Sequence, residues 1–218
     1  MSATPDANAP QPLAGKEIVV GVCGGIAAYK VADVVSKLVQ AGAGVTVAMT
    51  DDAQKFIAPL TFEALSGRPV RTSTFNLVES SDPQHISLTE RADLMLIAPA
   101  TANTIAKIAH GLCDDLLTLL VSAAACPVVF APAMNNRMWE NPITKENVAK
   151  LEKLSYRFIG PESGWLACRN VGIGRMSDSE KIMQEVSAML IAQSPRGSSP
   201  SPSPKRAGSA QSKTKMQE

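Results

Sequence analysis

Pro127-Val128-Val129-Phe130-Ala131-Pro132-Ala133-Met134-Asn135-Asn136-Arg137-Met138-Trp139 is the stretch on which the fold turns. Its first half is a short apolar run of the kind that is buried as a strand. Its second half, with Pro, Asn and Trp, leaves the core. Two readings stay open at this point. Either an Asn caps the start of a following helix, or the strand end presents side chains to a ligand.

Outward from that stretch, the chain alternates. Ile18-Val19-Val20-Gly21-Val22 reads as a strand, and Ile26 to Ala41 has helical periodicity. Val45 to Met49 is a second strand, followed by short helical stretches around Ala53 and from Leu60 to Leu65. Leu94-Met95-Leu96-Ile97 is the core of a third strand. Helical patterns then cover Ala102 to His110 and Asp115 to Ala124. After the Val128 strand come a helix near Thr144 to Leu154 and a short strand, Arg157-Phe158-Ile159. A glycine-rich loop precedes a last helix, Asp178 to Ala192. Repeated strand–helix units imply a parallel sheet with right-handed crossovers. The expected fold is α/β: a single doubly wound, Rossmann-like domain over residues 16–193. Residues 1–15 are expected to be a disordered leader. Residues 194–218, with Ser-Pro repeats and scattered Lys, are expected to be a disordered basic tail.

Composition agrees with such a fold. The 218 residues are 45% hydrophobic but only 4% aromatic, so the core must be Ala, Val, Leu, Ile and Met. That suits strands covered by helices on both faces. A net charge of +1 implies no strong field for nucleic acid or membrane. The apolar runs are too short to span a bilayer. Cys23, Cys113, Cys126 and Cys168 form no C-x-x-C pair, which argues against a zinc site. Wide cysteine spacing, with no basic-then-apolar start, fits reduced thiols in the cytoplasm.

In open parallel sheets, ligands bind outside the carboxyl ends of the strands. Four such ends carry small or amide-bearing residues here: Cys23-Gly24-Gly25-Ile26-Ala27, Thr50-Asp51-Asp52, Pro99 to Thr104, and the opening stretch. Gly24-Gly25 would let a phosphate approach the backbone at a helix N-terminus. The pattern is neither G-x-G-x-x-G nor G-x-x-x-x-G-K-[ST]. His110, before Gly111, suits a helix C-terminus structurally. His85, placed in an irregular segment before a strand, is the better-placed catalytic imidazole. Gly164 to Met176, with three glycines, a thiol and two arginines, reads as a lid loop.

These motifs resemble those of the homo-oligomeric, flavin-containing cysteine decarboxylases. Pro99-Ala-Thr-Ala-Asn-Thr104 is similar to the family's P-A-S-A-N-T motif. Pro132 to Trp139 matches its P-x-M-N-x-x-M-W motif at every fixed position. Gly172-Ile173-Gly174-Arg175-Met176 resembles the end of its substrate-recognition clamp. With Gly21 to Lys30, the resemblance covers nearly all of Lys16 to Gln193. Two positions depart from the pattern: Cys23, where Ser or Thr is more usual, and Arg169, where Gly is common.

The resemblance implies FMN, held by Gly24, Gly25, Ile26, Thr50, Thr101, Ala102 and Asn103. It implies His85, Asn135 and Cys168 as catalytic residues, and Met134, Asn135, Ala167, Cys168 and Arg175 as substrate contacts. It implies no metal. The expected reaction is loss of carbon dioxide from a small molecule, the cysteine of 4′-phosphopantothenoylcysteine, in coenzyme A biosynthesis. A flavin would supply the electron sink that a cysteine carboxylate lacks. Asn135 would hold the carboxylate, with Asn136 left to cap the helix. The resemblance also implies a homotrimer or a dodecamer of trimers, and a separate phosphopantothenate–cysteine ligase as a possible partner. A peptide ending in cysteine is an alternative substrate. A flavin prenyltransferase or a non-catalytic regulatory flavoprotein would be a different outcome.

Overall fold

A computed structural model describes residues 11–73 and 84–192, with the side chains of residues 84–87 outside that description. Five strands form one parallel sheet: β1 (Glu17–Val22), β2 (Gly44–Met49), β3 (Leu94–Ala100), β4 (Val128–Pro132) and β5 (Arg157–Phe158). Their spatial order is β2-β1-β3-β4-β5. The order reverses between β1 and β3, which makes that crevice the topological switch point. The doubly wound α/β architecture is as the strand–helix alternation implies.

Alternate residues of each strand face opposite ways, and here both faces are covered. Ile18, Val20 and Val22 of β1, with Leu94 and Leu96 of β3, pack into one cluster. That cluster is closed by α1 (Ala28–Gln40), α2 (Pro59–Ser66) and α8 (Ser179–Ala192). Val31, Val34, Val35 and Leu38 of α1 recur at helical spacing and are all fully buried. Val19, Met95, Ile97 and Phe130 point the other way. They meet α4 (Ala102–Ala109), α5 (Leu116–Ser122) and α7 (Pro142–Lys153). Gly21 sits in the middle of β1 because α5 lies directly on it. A Cβ there would stand 2.8 Å from Ile97 Cδ1 and closer still to Leu117.

Several sequence expectations need correcting. The chain is ordered before residue 16: Leu13 is fully buried in the core, and its N–H donates to the Ala41 carbonyl at 2.9 Å. The rest of the expected leader and tail lies outside the described residues. One helix escaped notice: α3 (Gln84–Arg91), so His85 sits in a helix rather than an irregular segment. The helix expected to follow the opening stretch is α6 (Asn136–Glu140), a single turn after β4. The glycine-rich loop is an antiparallel hairpin, β6 (Glu162–Trp165) and β7 (Val171–Arg175), separate from the main sheet. Its alternating exposure gives little apolar periodicity to read. His110 caps the end of α4, with Nε2 3.1 Å from Asn147 Oδ1. Among the described residues, no helix is long and apolar enough to cross a membrane.

Asp115 starts α5 with a reciprocal capping box. Its Oδ1 accepts from the Thr118 N–H at 2.8 Å, and its own N–H donates to Thr118 Oγ1 at 3.3 Å. Burial pushes the Asp115 carboxyl up, but the Thr118 donors and Lys107 outweigh it and hold it below the usual value.

Two stability predictions follow from this packing. Gly21→Val should lower stability by about 1–3 kcal/mol in a urea titration, because Leu117 and Ile97 have nowhere to move. Asp115→Ala should cost about 1 kcal/mol at neutral pH. Since the folded carboxyl titrates low, its contribution is complete above the ordinary aspartate value of about 3.9. It fades as pH falls through the lower folded value. The gap between parent and variant should therefore close in acid.

Candidate functional site

The carboxyl ends of β1, β2, β3 and β4 open into one cavity of ≈ 1160 Å³. That exceeds the usual single-ligand cleft and leaves room for two molecules side by side. The expected residues Gly24, Gly25, Ile26, Thr50, Thr101, Ala102, Asn103, Met134, Asn135, Ala167, Cys168 and Arg175 all line it. His85 lies in the first turn of α3, with its side chain outside the described residues.

Each wall has a local cause. Gly24 lets the turn after β1 press against Asp52, where any Cβ would collide. At Gly25 a Cβ would make only ordinary contacts, with Thr101 Cγ2 at 3.7 Å and Pro99 Cγ at 4.0 Å. Gly25 lines the cavity. The helix that follows, α1, starts at Ala27 without a side-chain cap, so its first-turn N–H groups are favourable to an anion. Thr101 caps α4, accepting from the Thr104 N–H at 3.2 Å. Ala102 and Asn103 are thereby held at the mouth. Ile26, 59% exposed, offers a flat apolar surface beside them.

The remaining wall is the β6–β7 hairpin, and it is seated on the opening stretch. The Met134 N–H donates to the Gly174 carbonyl at 3.0 Å. Gly174 has φ +147, and a Cβ there would strike the Met134 carbonyl oxygen. A Cβ at Gly172 would come 3.0 Å from the Asn136 Cβ, tighter than ordinary contact. At the root, Arg175 Nη2 reaches Glu162 and Asp178 at 3.2 Å each, and Asp178 faces Lys30 of α1 at 3.6 Å. This places the hairpin tip over the cavity. Arg169 at that tip has φ +63, the left-handed region that glycine prefers.

Asn135, not Asn136, caps α6: its Oδ1 accepts from the Arg137 N–H at 2.8 Å. The expected division of labour between the two asparagines is therefore wrong, since Asn136 is already the first helical residue. The amide of Asn135 still faces the site, with Nδ2 3.1 Å from Cys168 Sγ. Cys23 lies beneath the cavity rather than on its wall, and it is 1% exposed. Burial pushes its thiol up to about 11, next to Thr104 and Thr101. It is a packing residue, and protonated.

Several lining groups escaped sequence reading: Tyr29, Lys30, Lys55, Lys107, Asp114 and Trp165. Lys107 stands four residues after Asn103, on the same helical face, so its position was open to inference. The cations of the lining are paired with acids. Lys107 holds Asp114 at 2.8 Å and Asp115 at 3.1 Å, and Lys55 holds Asp52 at 2.7 Å. Among the described residues, no cluster of His, Cys, Asp or Glu is arranged to hold a metal ion.

The hairpin seating is directly testable. Gly174→Ala should detach the hairpin, at a local cost of about 1–3 kcal/mol, and speed its cleavage in limited proteolysis. Arg169→Gly should be neutral or raise Tm. Relief of about 1–2 kcal/mol at a left-handed position is partly offset by unfolded-chain entropy.

Comparison with known proteins places the chain. A family model described as Flavoprotein matches residues 6–191. Over 169 residues the chain is 47% identical to the coenzyme A biosynthesis bifunctional protein CoaBC of Borreliella burgdorferi. That match covers 78% of this chain and 43% of the relative, so the chain spans less than half of the bifunctional protein. Over 180 residues it is 46% identical to the probable phosphopantothenoylcysteine decarboxylase of Streptococcus mutans, covering 80% of this chain and 99% of that one. Among solved structures, the FMN-dependent cysteine decarboxylase SpaF superposes with a TM-score of 0.70 at 32% identity, covering 81% of this chain and 95% of that one. With its switch-point cavity and hairpin wall, the chain belongs to the flavoprotein family that includes the phosphopantothenoylcysteine decarboxylases.

Proposed function

We propose that the chain binds FMN and decarboxylates 4′-phosphopantothenoylcysteine to 4′-phosphopantetheine. One observation carries the reading: Asn135 and Cys168, distant in sequence, meet at 3.1 Å over a cavity large enough for cofactor and substrate together. The similarity to a decarboxylase of nearly the same length supports the substrate. The strand order is compatible with FMN, since flavodoxin, with the same 2-1-3-4-5 order, binds it at its β1/β3 switch point. The wall fits it as well. Gly25 and the start of α1, which has no side-chain cap, suit a phosphate, and Ile26 and Ala102 suit a ring.

Bound FMN supplies the electron sink that a cysteine carboxylate lacks. The protein's part is binding, orientation and proton control. Asn135 holds the carboxylate through a neutral amide, which does not over-stabilise the charged ground state as a guanidinium would. His85 serves as base or orienting group at the substrate thiol, since an imidazole titrates near working pH. The hairpin excludes water from the loaded site, and Cys168 at its tip gives up a proton in the final stage. Ile26, Tyr29 and Trp165 line the cavity yet are 59%, 60% and 66% exposed. Such a rim supports closure by a second subunit, consistent with a homotrimer or larger assembly. A cytoplasmic setting, with a separate ligase supplying the substrate, completes the proposal.

The test is carbon dioxide release from phosphopantothenoylcysteine by purified protein, run beside a peptide ending in cysteine. Turnover of the first alone is expected. Turnover of the peptide alone would move the chain to the peptide decarboxylases. Cys168→Ser should still release carbon dioxide but fail to form phosphopantetheine. Full product formation by that variant would remove Cys168 from the mechanism.

A further inference from the structure

The side chain of Asn135 is fixed at one end and committed at the other. The Arg137 backbone N–H can only donate, so the atom facing it at 2.8 Å is the Asn135 oxygen. That leaves Nδ2 turned to the cavity, where Cys168 Sγ stands at 3.1 Å. In this contact the amide donates and the sulfur accepts. Both residues line the cavity, so this is the place where a bound ligand would arrive. The hairpin tip has few other ties there. Its internal bonds run from the Leu166 N–H to the Asn170 carbonyl and from the Arg169 N–H to the Leu166 carbonyl, at 2.9 Å each. Ala167, Cys168, Arg169 and Asn170 are all exposed.

A carboxylate is acceptor-only, and it would approach the same Nδ2 that the sulfur now faces, where two acceptors compete for one small amide. We propose that the Asn135 amide is shared in time: it holds Cys168 Sγ in the free site, yields to the substrate carboxylate on binding, and recaptures the sulfur once carbon dioxide has left. This rests on the decarboxylase reading and adds an order to it. The thiol is displaced while the carboxylate is present, so no acid stands at the reacting carbon too early. Departure of carbon dioxide leaves the amide without an acceptor inside a closed site, which is unfavourable. The same donor then brings the Cys168 thiol to the position just vacated. Asn135 thus serves as a positioning residue for Cys168 as well as a contact for the substrate.

The contact and the exchange are tested separately, on the FMN-loaded protein. Asn135→Ser keeps an N-cap oxygen but is too short to reach the hairpin. Hydrogen exchange is followed in the peptide covering residues 166–170. Asn135→Ser and Cys168→Ala should each speed it by about 3- to 10-fold, as loss of a local tie does. The double variant should be no faster than either single one, because both remove the same bond. Additive effects, or none, would overturn the shared amide. The exchange of partners is read in single-turnover carbon dioxide release. With its competitor gone, Cys168→Ala should need about 3- to 10-fold less phosphopantothenoylcysteine for half-saturation, the same coupling seen from the other side. An unchanged or higher requirement would overturn the exchange. If the hydrogen-exchange coupling holds but the parent protein releases no carbon dioxide, the reaction assignment fails and takes the carboxylate step with it. If carbon dioxide is released without coupling, only the shared amide fails.

Discussion

The site exists because two backbones touch. Where β7 runs past the end of β4, the Gly174 carbonyl accepts the Met134 N–H, and Gly174 itself lies flat against the Met134 carbonyl. Any side chain at that glycine would hold the strands apart. The remaining walls grow directly from the main sheet and inherit its rigidity. Their residues leave β1, β2, β3 and β4 at one edge, and the core on both faces fixes those strands. The hairpin has no such support. A two-stranded ribbon is marginal in water by itself, so its place depends on how it docks. The Gly174 contact, Gly172 against Asn136, and the Arg175 ion pairs at its root together set that place.

This arrangement separates rigid duties from mobile ones. Holding a cofactor needs fixed backbone, and Gly24, Gly25, Thr50 and Thr101 sit on turns anchored by buried strands. Admitting and releasing a substrate needs a wall that moves. The hairpin tip, with Ala167 to Asn170 exposed and an amide–sulfur contact to the body, suits that role. Charge is distributed in keeping with the chemistry. Lys55 and Lys107 on the rim are neutralised by neighbouring aspartates, and the group facing the hairpin tip is a neutral amide. On the proposed function, such a site would bind a carboxylate without holding it so firmly that its loss becomes costly.

The parts legible in the sequence were those written in backbone periodicity. The strands and the main helices follow from apolar spacing, and the shared ligand edge follows from their order. The four turn motifs proved to line one cavity. What escaped had no periodic signature. Helix α6 was legible only through its capping asparagines, since a single turn is too short for any repeat to register. The hairpin hid because its residues are largely exposed and its glycines serve docking rather than looping. Capping by Asn135 rather than Asn136 could not be read locally, since adjacent asparagines offer the same chemistry. Only the exit angle of β4 decides between them. Paired rim charges, such as Lys107 with Asp114, come together through folding across separate elements.

The central claim is that this cavity is a flavin site built from the chain's own strand ends. The most direct measurement is the flavin content of the purified protein, from its visible absorbance and the nucleotide released on denaturation. The account predicts a yellow protein that releases FMN, and no other flavin, in about equal numbers with the chain. A folded, colourless protein that takes up no FMN when supplied with it would contradict the account.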